Sequence, residues 1–75
     1  MTTAALDALA CAVRDEPEGN RNGILYWATC RAIEEGIRAD IVAEVLNRAA
    51  VAAGLPNDEA NATLRSAMQR NGVRA

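Results

Sequence analysis

Helix-breaking positions recur along this 75-residue chain at spacings that leave room only for four short helices, and no other feature limits the fold as much. The run Glu16-Pro17-Glu18-Gly19-Asn20 interrupts it first, Gly36 second and Gly54-Leu55-Pro56 third, while Asn71-Gly72 closes the last segment. Proline lacks an amide proton and clashes with the preceding helical turn, and glycine takes the left-handed conformation in which helices stop. Four short helices joined by tight turns, with no sustained heptad, predict one all-α domain over residues 1–75: a compact four-helix orthogonal bundle.

Between the breakers, apolar residues recur at helical spacing. Leu6, Leu9, Ala10 and Val13 align on one face of a first helix that Thr2 or Thr3 can cap and that runs to about Asp15. A second helix is expected from about Asn22 to Glu35, with Asn20 or Asn22 as its cap. Its apolar band (Leu25, Ala28, Ala32, with Tyr26, Cys30 and Ile33) is wide enough to make it the central helix. A third opens at Arg38-Ala39-Asp40 and is lined by Ile41, Val42, Val45, Leu46, Ala49 and Ala53. Asn57 is expected to cap a fourth, where Asp58 and Glu59 suit the positive end of the helix dipole and Ala60, Leu64, Ala67 and Met68 form the inward stripe.

Composition narrows what such a bundle could do. Half of the residues are apolar but only 3% are aromatic, so burial must come from many small side chains, alanine above all. The net charge of −2 argues against coating nucleic acid by bulk attraction, although Arg65, Arg70 and Arg74 make a basic end. All eight basic residues are arginine, which points to a GC-rich coding genome before it points to phosphate binding. Cys11 and Cys30 lack metal-ligand spacing and there is no histidine, so buried free thiols in a reducing cytoplasm are expected, with no metal and no cofactor. No stretch of about twenty apolar residues is present, and a soluble, cytoplasmic, non-enzymatic chain without a membrane partner is the expectation.

Residues 16–31 gather the features that could bind something. Arg21 and Asn22 stand beside a helix start, where a guanidinium and free amides would form a two-part phosphate cradle. The plainer reading is that Asn22 caps while Arg21 fixes the turn through carbonyls or through Glu18 or Glu59. Tyr26 and Trp27 are the only aromatics and could stack on a base. Helical neighbours point about 100° apart, so both cannot face one flat partner, and Trp27 is the better contact candidate. Arg31 follows one turn later. On the last helix Arg65, Ser66 and Arg70 suit contact with a nucleic-acid backbone more than base reading.

The order Gly19, Arg21, Asn22, Leu25, Ala28, Arg31, Gly36, Ala49, Ala50, Gly54, Leu55, Thr63, Leu64, Arg65 and Ser66 resembles a small helical module found C-terminal to bifunctional primase-polymerase domains of actinobacteria and their phages. The resemblance runs from roughly Leu9 to Asn71. It implies an accessory role in phage or prophage DNA replication, with DNA, a nucleotide or a replication protein as partner. In those larger proteins polymerisation belongs to a separate catalytic domain, so these residues are not expected to make primers by themselves. Two other readings stand beside it: a protein-interaction module that self-associates or binds a host or phage protein, and a DNA-binding regulator using helices 3 and 4. The regulator reading is weakened because the segment from Ala50 to Thr63 matches a helix-turn-helix only in part, with Thr63 at an aliphatic position and Asp58 and Glu59 opening the would-be recognition helix.

Overall fold

In the computed structural model, which describes residues 3–16 and 19–73, four helices follow one another: α1 (Thr3–Asp15), α2 (Arg21–Glu34), α3 (Ala39–Ala52) and α4 (Asn57–Arg70). Each break falls where glycine or proline interrupts the apolar period. Gly54 has φ +104°, a conformation that places a Cβ too close to the neighbouring carbonyl in other residues. That turn lets the Leu55 amide reach back to the Ala50 carbonyl at 3.0 Å and so satisfies a carbonyl that the end of α3 would leave unpaired. The same return closes α2, from Ile37 to Ala32 at 3.2 Å, and α4, from Val73 to Met68 at 2.9 Å.

The packing is an all-α four-helix bundle. α2 and α3 each lie beside every other helix, whereas the α1 and α4 backbones do not come close to each other among the described residues. Leu6, Leu9 and Val13 of α1 meet Leu25, Ala28 and Ala32 of α2 and Val42 and Leu46 of α3, with Leu64 closing the core from α4. Leu25, Ala28, Ala32, Val42, Leu46, Ala60 and Ala67 are fully shut off from solvent. Burying one leucine contributes about 1.5–3 kcal/mol, and the alanines let the helix axes approach closely enough for the few large side chains to fill the space.

Four expectations need correction. Ile41 was expected to line α3 but is exposed, because the buried side is set by Val42, Leu46, Ala49 and Ala50. Cys11 is exposed and Cys30 half-buried, both as free thiols; the Cys11 sulfur accepts a 3.2 Å hydrogen bond from Arg14 Nη2. The asparagines do not cap with their side chains. Asn20 occupies the cap position of α2 without a side-chain bond, Asn22 is already helical, and Pro56, not Asn57, precedes α4. Centrality is shared by α2 and α3 instead of belonging to α2 alone. One buried polar residue had not been foreseen: Thr29 is fully buried, its hydroxyl donating to the Leu25 carbonyl at 2.8 Å. Thr3 is the first residue of α1. Thr2, Pro17, Glu18 and Arg74 lie outside the described residues.

Candidate nucleic-acid interface

The start of α2 is built from residues that do little to satisfy one another. Gly19, at φ +106°, and Asn20 bring the chain into Arg21, and no side chain accepts from the first amides of the helix. Those amides carry the positive end of the helix dipole. The Asn20 side chain lies over Gly23, with its Oδ1 only 2.8 Å from where a Cβ would stand at that position. An alanine at Gly23 would displace that exposed amide.

Arg21 extends from this start onto the turn between α3 and α4. Its Nη1 lies 3.0 Å from where a Cβ would stand on Gly54, so the guanidinium rests against that glycine. The Arg21 Nε is buried and donates to nothing. Among the described residues Arg21 forms no ion pair, although Glu59 lines the same pocket with Gly54, Leu55 and Pro56. The latch through Glu59 or a carbonyl is thus absent there, and what holds Arg21 is packing against Gly54. The Glu18 version of the latch lies outside the described residues.

Around the corner, α2 and α4 form a shallow groove from Asn22, Gly23, Tyr26, Ala62, Thr63 and Ser66. The Thr63 hydroxyl donates to Asn22 Oδ1 at 3.1 Å and fixes the register of the two helices. Arg70 follows Ser66 by one turn and is exposed. Trp27 is 50% exposed while Tyr26 is half-buried, which separates the two aromatics as helical geometry requires. Arg31 stands one turn beyond Trp27, with its Nε 4.0 Å from the Glu35 carboxylate, a loose and solvated pair.

The predicted site residues do not all converge. Arg21, Asn22 and Ser66 lie at the junction of α2 with α4, and Trp27 and Arg31 continue along the exposed side of α2. Arg65 is elsewhere: it lines a groove between α3 and α4 with Ala39, Asp40, Ala43 and Met68. Asp40 and Glu44 are surface groups paired with Arg38 at 2.9 Å and Arg48 at 3.1 Å. Three contributors to the junction escaped notice as such: Gly23, Gly54 and Thr63. Only Thr63 carried a signal, as a polar residue where a helix pair would place an aliphatic.

Among the described residues no helix is long and apolar enough to cross a membrane, and no group of three or more Cys, Asp or Glu gathers as a metal site would need. No protein-family model matches the chain, and no curated protein or solved structure matches it either.

Proposed function

We propose that this domain is a non-catalytic accessory module of phage or prophage DNA replication that contacts the phosphate of a nucleic acid or nucleotide at the start of α2. One observation carries the reading: Arg21 is a half-buried cation with no acid paired to it among the described residues, beside helix amides that no side chain caps. A phosphate offers several acceptor oxygens and two units of complementarity at once, to the guanidinium and to the dipole. The mechanism is positioning. The replication setting rests on the motif order from Gly19 to Ser66, and the contact itself on Arg21.

Fluorescence anisotropy of labelled single-stranded and duplex DNA across a salt series tests it. Weak binding that falls with salt is expected, because phosphate contacts release counterions. Arg21→Ala should weaken that binding and lower the salt slope by about one unit, with the helical circular dichroism unchanged. Flat titrations at low salt would remove the reading.

A second reading has its own support. Trp27, Ile41 and Val51 are large apolar side chains left in water, at 50%, 39% and 44% exposure. A protein-interaction module, homodimeric or bound to a host or phage protein, would cover some of them. Sedimentation mass that rises with concentration is its signature, and a monomer at all concentrations counts against the homodimer.

A further inference from the structure

We propose that the exposed side of α3 pairs with the same helix of a second copy, antiparallel about a two-fold axis at residue 46, so that the domain is a homodimer. The inference rests on the protein-interaction reading above, names its partner as this chain, and does not depend on the phosphate contact. It starts from where the uncovered apolar groups are. Among the described residues three large apolar side chains are exposed, and two of them, Ile41 and Val51, stand near opposite ends of α3. Between them the exposed residues are Glu44 and Arg48, joined to each other at 3.1 Å. At about 100° per residue these four positions share an arc of about 80° on the helix surface. The side bound into the core, made by Val42, Leu46, Ala49 and Ala50, lies opposite.

The order of the four selects the partner. Counted from residue 46, an apolar group stands five positions away on either side, the acid two before and the base two after. Turning one such helix end for end over another therefore brings Ile41 level with Val51 of the second copy, and Glu44 level with its Arg48. Both pairings occur twice, because a two-fold contact is its own complement. Asp40, the next acid outward, comes level with Ala52 and meets no like charge. A parallel pairing would instead set Glu44 against Glu44 and Arg48 against Arg48.

Within one copy the Glu44–Arg48 pair is so exposed that it adds little stability. Across the axis two such pairs close into a ring of alternating charge, flanked at each end by aliphatic side chains. Beside the stripe α1 and α3 leave a groove of about 650 Å³ lined by Ala10, Ala49 and Ala52, on the side where Ile41 of the second copy arrives. The 14 residues of α3 are about 21 Å long. The contact therefore belongs with small interfaces, under about 1,200 Å² in total, whose partners join and separate readily.

Sedimentation equilibrium of the full chain should give a mass that rises from monomer toward dimer with concentration. Ile41→Asp puts an acid in the first turn of a helix, which suits the dipole. It should keep the helical circular dichroism and weaken association roughly tenfold, as loss of a central interface side chain does. The charges supply the sharper arm. Glu44→Arg and Arg48→Glu each set like charges against one another across the axis, and each variant alone should be monomeric at low salt. An equimolar mixture of the two should dimerise, since each copy carries the charge that the other lacks, and the double exchange Glu44→Arg with Arg48→Glu should dimerise by itself. A mixture that stays monomeric would overturn the inference. So would a wild-type chain monomeric at every concentration, which would remove any homodimer with it. A dimer indifferent to Ile41→Asp and to the charge exchanges, or one abolished by Trp27→Ala, would also overturn it and leave the protein-interaction reading standing on another face.

Discussion

The Thr63 hydroxyl donates to Asn22 Oδ1 over 3.1 Å, joining two residues 41 positions apart and locking α4 onto the first turn of α2. The bond gives the side chain of Asn22, which already lies inside α2, a tertiary role in place of the capping one. Thr63→Val keeps the shape and deletes the donor. A net loss of about 0.5–1.5 kcal/mol is expected, read as a lower urea midpoint at unchanged slope. An unchanged midpoint would mean that water serves Asn22 equally well.

Gly54 and Gly36 offer a controlled comparison. Both have positive φ, +104° and +85°, so alanine at either position takes on a backbone cost of about 1–2 kcal/mol. Only at Gly54 does the new methyl meet another group, the Arg21 guanidinium; nothing lies within 4 Å at Gly36. Gly54→Ala should therefore weaken DNA binding as well as stability, whereas Gly36→Ala lowers stability alone. Thermal melts paired with anisotropy separate the two.

Glu59 shares the pocket that Arg21 lines and opposes an anion there. Glu59→Gln is expected to raise DNA affinity several-fold at low salt, with the gain shrinking as ionic strength rises and the Debye length falls to about 8 Å near physiological salt. A fall in affinity would instead assign Glu59 to a donor on the ligand.

The core should be far less forgiving than the exposed side of α3. Leu25→Ala removes a fully buried side chain at the meeting of helices and should cost about 2–5 kcal/mol, on the order of 10–30 °C in melting temperature for a domain of this size. Ile41→Ser, at an exposed position, should change stability by about 0.5 kcal/mol or less. Calorimetry or circular-dichroism melts of the two variants check both ends.

How much of this could be read from residue order follows from the range of the forces involved. Helix ends set by Gly36, Gly54 and Gly72 were legible because backbone sterics are local. The inward stripe of Ala60, Leu64 and Ala67 was legible because its period is undisturbed. Ile41 and Val42 are adjacent and both aliphatic, and only the position of neighbouring helices decides that the second is buried. Asn22 and Asn57 look like caps, but both fall inside their helices and their side chains bond to other helices: Thr63 donates to the first, and Asn47 Nδ2 donates to Asn57 Oδ1 at 3.2 Å. Of the candidate contact residues, Arg21 and Trp27 stood out because helix capping and core packing did not account for them. Their separation from Arg65 needed the path of α4, which puts Ser66 on the α2 side and Arg65 toward α3.

Because the α1 and α4 backbones approach the middle pair but not each other, the two outer helices clasp one spine from separate sides and meet only through the shared core. Local opening of α4 is therefore expected to expose its own amides to exchange with less effect on those of α1, and the reverse is expected too. Amides of α2 and α3 then exchange slowest, since both outer helices must leave before the middle pair is bare. A ligand that engages α2 together with Ser66 would slow exchange in α4 and leave α1 untouched, so protection in one outer helix reports occupancy while the other serves as a built-in reference.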